Sequence, residues 1–280
     1  MIERRSPKNI AKRAVIIFLL ALMAFLQLFP FYLQLVNALQ PLDLVPVYGK
    51  IYLLPDKFTW NFTEAIVRLE LLQGMGNSII VAFGFTFLSS LVILLMGYVL
   101  GKKRFHGKKI IKFCMLVTMV VPGEILLVSN YLLVSQFNWI NNYAGLILPG
   151  IVNVMGIFLV MSFMNTIPDS LLESADLDGA NELIKIFCIV LPLCLPVLAT
   201  YWILTVVSQW NDYLWPMIVV NDRDLFTVQL KLKEVNPYYT GFADEVLKSA
   251  AHIISIVPVF VIYILCQKQF IGGISVTGLK

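Results

Sequence analysis

The sequence predicts an all-α, polytopic membrane protein with six transmembrane helices, and two observations lead to this fold class. Hydrophobic residues make up 59% of the 280 residues and charged residues only 14%, whereas about a quarter of the residues in a soluble domain are charged. The charges are also bunched between five uncharged stretches of 29, 31, 44, 26 and 19 residues. A membrane-spanning helix needs about 20 predominantly apolar residues, so these stretches supply at least five spans.

The longest uncharged stretch is expected to hold two spans, because a polar cluster would strand several amides in hydrocarbon unless it formed a loop. That cluster consists of Gln136, Asn138, Asn141 and Asn142. The predicted spans are residues 14–37, 78–100, 112–134, 144–165, 190–215 and 250–270. Pro122 and Gly123 interrupt the third span, so this helix is expected to be kinked or loosened there.

The distribution of lysine and arginine predicts that both termini lie in the cytoplasm. With the N-terminus inside, the inner segments carry 14 basic residues and the outer segments carry 7, as the positive-inside rule requires. The apolar stretch after Arg13 is too long for a signal peptide and lacks a small-x-small cleavage site, so we expect an uncleaved first helix. The basic residues lie near span ends, where lipid headgroups are the nearest phosphates, and a nucleic-acid partner is not expected.

The sequence offers no catalytic, nucleotide-binding or metal-binding motif. It contains neither a G-x-x-x-x-G-K-[ST] phosphate loop nor a G-x-G-x-x-G after a strand pattern. His106 and His252 have no carboxylate or cysteine at ligand spacing, and the four cysteines form no C-x-x-C pair. We therefore expect this chain to have no enzymatic activity and to bind no metal or cofactor.

Glu124 is a carboxylate in the interior of the third predicted span, and two interpretations stay open for it. A lipid-facing carboxylate costs about 2.5–3.5 kcal/mol on insertion scales. Glu124 is therefore expected either to line a polar pathway or to bond with freed backbone groups. Asn211 and Asp212, near the end of the fifth span, are further candidates for the pathway or for helix packing. Three aromatic residues beside them favour an interfacial belt over a ligand-stacking role: Trp210, Tyr213 and Trp215.

The loop between the fourth and fifth spans is acidic where an inner loop should be basic. It carries five carboxylates against the single Lys185: Asp169, Glu173, Asp176, Asp178 and Glu182. Pro168 at the first helical position and a carboxylate in the first turn are helix-start signals. At 100° per residue one helical stripe collects Leu172, Ala175, Gly179 and Leu183. Ala175 and Gly179, the two small residues of this stripe, would allow another helix or protein surface to approach closely. Alternatively, Gly179 ends a first short helix and begins a turn. On the helical pattern alone, a solvated surface helix is an equally good interpretation.

The spacing in this loop resembles the EAA loop of bacterial ABC importer permeases. Glu173-Ser174-Ala175, then Gly179, then Ile189-x-Leu191-Pro192 match that motif in residue type and interval, with Ser174 where alanine is common. Other segments resemble the carbohydrate-type, maltose-importer group of these permeases: residues 58–62, 77–78, 97–98, 145–149 and 210–216. The glycine-rich tail from Gly272 to Lys280 is similar too, but stops one residue short and has leucine for valine.

The resemblance implies the type I ABC importer permease fold, with one transmembrane domain over residues 1–280 and its core over about 72–271. It implies a subunit of a bacterial inner (plasma) membrane complex that forms half of the pathway for a sugar or oligosaccharide. The partners would be a second homologous permease chain, two copies of an ABC ATPase, an extracytoplasmic sugar-binding protein and membrane lipid. ATP and Mg would be used by the ATPase subunits. The coupling contacts would come from the loop residues Glu173, Ser174, Ala175, Asp178, Gly179 and Ala180.

Two other classes of protein are compatible with six spans. A secondary carrier would move a small polar solute without an ATPase, and a membrane scaffold or receptor subunit would have no pathway. The segment from Asn221 to Lys248 is expected outside, either against the binding protein or as a solvated connector.

Overall fold

The computed structural model describes the backbone of residues 7–44, 51–234 and 242–277, and the side chains of residues 13–44, 51–234 and 243–266. In these ranges the secondary structure is helical and contains no strand. The α-helices are α1 (Pro7–Ala38), α2 (Phe62–Arg68), α3 (Leu71–Lys102), α4 (Lys108–Val120), α5 (Leu127–Gln136), α6 (Tyr143–Ile147), α7 (Val154–Met164), α8 (Asp169–Leu177), α9 (Glu182–Ile184), α10 (Leu191–Trp210), α11 (Leu214–Val219), α12 (Val228–Lys233) and α13 (Phe242–Thr277). Short 3₁₀ turns cover Gly123–Leu126, Leu148–Gly150 and Arg223–Leu225, and a π-helical turn covers Lys185–Val190.

Among the described residues, four helices are long and apolar enough to cross a membrane, and two bent pairs raise the number to six if each pair is one span. The four are Arg13–Ala38, Leu71–Lys102, Glu182–Trp210 and Ala243–Cys266. In the bent pairs, Lys108–Val120 meets Gly123–Gln136 at 96°, and Tyr143–Gly150 meets Val154–Met164 at 48°. The all-helical, polytopic fold class is therefore confirmed.

The break in the third span falls at the predicted position. Val121 and Pro122 have extended backbone, with ψ of 119° and 133°. Proline disfavours a helical conformation in the residue before it and donates no backbone hydrogen bond, so the helix ends before Pro122 and restarts as a 3₁₀ turn.

The predicted extent of the fifth span, residues 190–215, is wrong at its outer end, because α10 ends at Trp210 and α11 begins at Leu214. The Asn211 amide donates to Val207 O at 2.9 Å and so competes with the backbone ladder. Pro216 has no N–H to continue an uninterrupted helix, but it is tolerated in the first turn of α11, where that N–H would have no helical partner.

The chain forms two compact units, Met1–Leu71 with Glu234–Ile256, and Leu72–Lys233 with Val257–Lys280. In the first unit, α1 exposes large apolar side chains such as Phe18 and Leu28, each 65% exposed, as a lipid-facing span requires. In the same unit Asn61 is buried, and its amide donates to Ala38 O and Gln40 O, both at 2.8 Å. These bonds hold the chain after α1 against the start of α2.

The second unit holds the candidate sites and is closely packed around α3. A Cβ atom at Gly97 would lie 2.6 Å from Val160 Cγ1, and one at Gly101 would lie 2.7 Å from Met164 Cβ. Two small residues four apart therefore let α3 and α7 approach closely, as in other membrane helix pairs. A separate apolar cluster connects α3 with α6 and α11 around Val81, Leu146 and Val219.

Candidate functional site

The first candidate site is the acidic loop, defined here as residues 168–185, which contains a short helix with a glycine cap. α8 begins at Asp169, so Pro168 precedes the helix instead of occupying its first position as predicted. Gly179 has φ +78°, Ala180 N donates to Ala175 O at 2.9 Å, and Gly179 N donates to Asp176 O at 3.1 Å. This pattern of bonds is a Schellman cap. Gly179 therefore ends the helix, which was one of the two interpretations of the sequence.

The predicted stripe of Leu172, Ala175, Gly179 and Leu183 is wrong beyond Ala175. Leu172 and Ala175 are 8% and 7% exposed, and Leu172 belongs to the core cluster of this unit. The helix ends before Gly179, so Leu183 lies on α9 with 63% of its surface exposed. The buried small residue Ala175 consequently faces its own chain and does not admit a partner.

The open face of α8 is the opposite one. Glu173 and Ser174 are exposed there, and Leu177, in the last position of the helix, is 90% exposed. A large apolar side chain so fully exposed at the end of a rigid helix offers an anchor for a hydrophobic cleft.

The buried residue Lys185 ties α8 to the helix that follows it. Its ammonium lies 2.5 Å from Asp176 Oδ1 and 2.5 Å from Glu182 Oε1, and its side chain is 3% exposed. Both carboxylates are about half exposed, so water reaches the acidic side of the cluster. A buried ammonium needs such partners, because its charge is costly to remove from water alone.

Two lysines at the end of α3 hold the same loop. Lys102 Nζ donates to Asp169 Oδ1 at 2.6 Å, and this hydrogen bond keeps the pKa of the Asp169 carboxyl below its usual range. The same ammonium also donates to Ile167 O. Lys103 Nζ lies 2.7 Å from Glu182 Oε1. The acidic loop is thus fastened to α3, and its own parts are joined through Lys185 where the π-helical turn leads into α10.

The ion pairs account for three of the five carboxylates that break the positive-inside rule. For Glu173 and Asp178, both exposed, the described part of the chain provides no ion pair. These two carboxylates belong to the set that the family resemblance marks for coupling.

The second candidate site is a cavity of about 310 Å³, called here the polar cavity, which forms where three helical segments are interrupted. Glu124 follows the break after α4, Gly150 precedes the break before α7, and Asp212 lies between α10 and α11. Irregular backbone at membrane depth is tolerated where it lines a cavity. The lining consists of Phe85, Gly123, Glu124, Leu127, Asn130, Leu146, Pro149, Gly150, Gln209, Asp212, Leu214 and Trp215.

The wall of the polar cavity is held by close backbone approach around Trp215. Its indole Nε1 donates to Gly145 O at 2.9 Å, and its backbone N lies 3.5 Å from Asp212 Oδ1. A Cβ atom at Gly145 would lie only 2.3 Å from Trp139 O, so this position has no room for a side chain. The segment 145–149 that resembles the family therefore builds one side of the cavity.

Some of the residues that the sequence suggested for the pathway line this cavity, and others do not. Glu124 and Asp212 line it together, whereas Asn211 is outside its lining, and its amide bonds back to Val207 O. The interfacial belt expected for the aromatic residues is wrong for Trp210, which is 3% exposed, and Trp215 lines the cavity instead. The polarity of a side chain alone does not predict whether it lines the cavity, because that depends on where each helix ends.

Sequence reasoning missed the anchors of the segment from Asn221 to Lys233, the described beginning of the predicted outer segment. Asn77 Nδ2 donates to Asp224 O at 2.8 Å and to Phe226 O at 2.9 Å, and Asn77 Oδ1 accepts from Tyr143 OH at 2.7 Å. This stretch is therefore packed and is not a loose connector. The signal available in the sequence was an isolated asparagine at the start of an apolar run. Residues 235–241 and the end of the glycine-rich tail lie outside the described residues.

Comparison with known proteins supports the same class of protein. Residues 93–238 match the sequence model of the family described as binding-protein-dependent transport system inner membrane component. The chain is 30% identical over 266 residues to the arabinooligosaccharides transport system permease protein AraQ of Halalkalibacterium halodurans, covering 93% of this chain and 94% of that protein. It is 28% identical over 282 residues to the sn-glycerol-3-phosphate transport system permease protein UgpE of Salmonella typhi, covering 98% of each.

A solved structure shares the fold. It is the crystal structure of a bacterial ABC transporter involved in the import of the acidic polysaccharide alginate, with a TM-score of 0.82, 24% sequence identity and coverage of 95% of this chain and 99% of that one.

The fold and these similarities define a multi-pass inner-membrane transport protein. The chain belongs to the family of binding-protein-dependent transport system inner membrane components, the permease subunits of ABC importers. Membership implies a substrate-binding protein and an ATPase as partners. It leaves the secondary-carrier and scaffold alternatives without support.

Proposed function

We propose that this chain forms half of the transmembrane pathway for a sugar or oligosaccharide and that the acidic loop couples it to an ATPase. The other half comes from a second homologous permease chain, two copies of the ATPase bind ATP and Mg, and an extracytoplasmic sugar-binding protein delivers the cargo. The relative named for arabinooligosaccharide transport supports the cargo class. The excess of basic residues in the inner segments supports an orientation with both termini and the acidic loop in the cytoplasm.

The observation that carries the coupling role is the two-sided construction of α8. One face is fixed by the burial of Leu172 and Ala175 and by the Asp176–Lys185 ion pair. The other face presents Glu173 and the exposed Leu177. A helix held rigidly from behind and open in front is suited to dock in a partner and to transmit its movement.

The same ion pairs give that movement a route into the spans. Lys185 joins α8 to the π-helical turn that leads into α10, and Lys102 joins α8 to the end of α3. When the ATPase subunits close on ATP, displacement of α8 would move both spans with it and rock the permease between inward-open and outward-open states.

Charge and shape changes on the open face test this proposal. In the complete importer reconstituted in nanodiscs, Glu173→Lys and Leu177→Asp should reduce hydrolysis stimulated by loaded binding protein at least about tenfold, because a docked face loses on the order of 2 kcal/mol or more per anchor. The matched control is Lys109→Glu, which reverses an exposed charge at the start of α4, outside the acidic loop, and should preserve stimulation. Full stimulation in both loop variants would refute the coupling role.

The glycine cap gives an independent pair of variants. Gly179→Val should uncouple the complex, because a β-branched residue is strained at φ +78°, whereas Gly179→Asn should retain most of the stimulation, because asparagine tolerates the left-handed region. Equal stimulation in the two variants would show that the geometry of this cap does not matter for coupling.

A further inference from the structure

The charges that line the polar cavity are of one sign. Glu124 and Asp212 are the ionisable residues in its lining, and among the described residues that form it there is no lysine, arginine or histidine. We propose that this cavity admits neutral sugars and rejects acidic ones, so the cargo of this permease is a neutral glycoside. The inference rests on the proposed function, because it treats the cavity as part of the sugar pathway.

The rest of the lining suits a neutral sugar. Asn130 and Gln209 supply amide donors and acceptors, while Phe85 and Trp215 supply flat apolar surface. A cavity that is mostly apolar with a few oriented polar groups is the usual form of a small-ligand site. Sugar hydroxyl groups can donate to the carboxylate of Glu124 or Asp212, and hydrogen bonds to a charged acceptor are stronger than those between neutral groups.

The positions of the two carboxylates are set by the backbone. Asp212 lies between two helix ends, with Asp212 N donating to Gln209 O at 3.3 Å and Asp212 Oδ1 facing Trp215 N. Glu124 lies in the 3₁₀ turn that follows Pro122. Asp212 is therefore held at the lining by its contact with the start of α11, and Glu124 contributes a second carboxylate from an exposed turn.

An acidic sugar would meet both of these charges at short range. The volume of about 310 Å³ is near the lower end of ligand cavities, so a carboxylate or phosphate bound there lies within a Debye length, about 8 Å, of Glu124 and Asp212. Like charges at such separations repel, and the repulsion weakens as the salt concentration rises. In the acidic loop, by contrast, lysine ammonium groups lie as close as 2.5 Å to the carboxylates and balance their charge.

The test uses two ligands that differ mainly in charge, trigalacturonate and its methyl ester, with arabinotriose as a second neutral sugar. Binding is measured by titration calorimetry on the full chain in complex with its second permease and ATPase subunits, without the binding protein. We expect both neutral sugars to bind and trigalacturonate to bind at least about tenfold more weakly. This gap should narrow when salt rises from about 0.05 M to about 0.5 M, because salt screens the repulsion.

Variants locate the discrimination. Glu124→Gln combined with Asp212→Asn should bring trigalacturonate to within about threefold of its methyl ester, whereas the control Asp224→Asn, outside the cavity lining, should leave the tenfold gap intact. Equal affinity for trigalacturonate and its methyl ester in the wild-type complex, an unchanged gap in the double variant, or no binding of either neutral sugar would overturn the inference. If any of these occurs while Glu173→Lys still uncouples hydrolysis, the proposed permease function stands and only the cargo charge is wrong.

Discussion

The acidic loop and the polar cavity both depend on carboxylates, but the protein treats those carboxylates in opposite ways. In the acidic loop, Lys102, Lys103 and Lys185 pair with Asp169, Asp176 and Glu182 at 2.5 to 2.7 Å. In the polar cavity, the two carboxylates have no cation beside them among the described lining residues. The difference teaches that acidic residues in the loop hold the structure together through lysines, whereas those in the cavity lining have no such counter-charge.

The two regions also differ in backbone. The acidic loop relies on a regular helix with a regular glycine cap, so most of its substitutions should act through charge or exposure. The polar cavity relies on interrupted helices and on backbone contacts that admit no side chain. We therefore expect the largest effects on stability from the cavity wall and smaller ones from the ion pairs of the loop.

The largest effect is expected for Gly145→Ala. The added methyl group would lie 2.3 Å from Trp139 O, a backbone atom that cannot rotate away, and would shift the carbonyl that holds Trp215. Overpacking of this kind costs about 1–3 kcal/mol and more where backbone must move, so the Tm of the purified protein should fall clearly.

The matched control for this variant is Gly76→Ala. Gly76 lies in α3 with no atom within 4 Å of the added methyl group, so alanine should be neutral or stabilise the helix by up to about 1 kcal/mol. If Gly145→Ala melted at or above the wild-type temperature, the cavity wall would not be the rigid region that the comparison requires.

An intermediate effect is expected for Lys185→Met. Removing this ammonium leaves Asp176 and Glu182 without their shared counter-charge and releases α8 from the π-helical turn before α10. The Tm should fall by roughly 5 °C, since breaking a buried pair is costly even when its acidic partners reach water. Lys103→Met removes a 40% exposed partner of Glu182 and should change the Tm much less. Equal shifts in the two variants would show that burial of Lys185 does not matter.

The smallest effect is expected for Asp169→Asn. The Asp169 side chain is 72% exposed, and in the variant Lys102, itself 9% exposed, keeps its bond to Ile167 O and can donate to the asparagine oxygen. The Tm at neutral pH should therefore move by no more than about 1 °C. Lys102 lowers the pKa of Asp169 in the folded protein, so the contribution of the pair is present above the ordinary carboxyl pKa of about 3.9 and is lost as the pH falls below it. Any difference between wild type and variant should thus vanish in acid. A difference in Tm that grew in acid would show that the predicted sign of this pH dependence is wrong.

Much of this architecture was predictable from particular residues. Pro122 indicated the break in the third span, and Asn138 and Asn141 indicated the loop that follows, where both adopt positive φ. Gly179 was a possible helix end, but the helical pattern alone could not exclude a continuous stripe reaching Leu183. Asn77 and Asn211 are both asparagines beside a span, yet one anchors a distant segment and the other bonds to its own helix. Their roles depend on partners that the local sequence does not reveal.

By itself the sequence determined the membrane environment, the helical class, the approximate spans and the position of the acidic loop, because hydrophobicity, charge and helix-breaking residues act locally along the chain. Only the tertiary structure decided which carboxylates of that loop are paired, which face of α8 is open, and that Glu124 and Asp212 line one cavity. Such outcomes depend on contacts between residues far apart in sequence: Glu124 and Asp212 come together because helices end at Val120 and at Trp210, on separate spans.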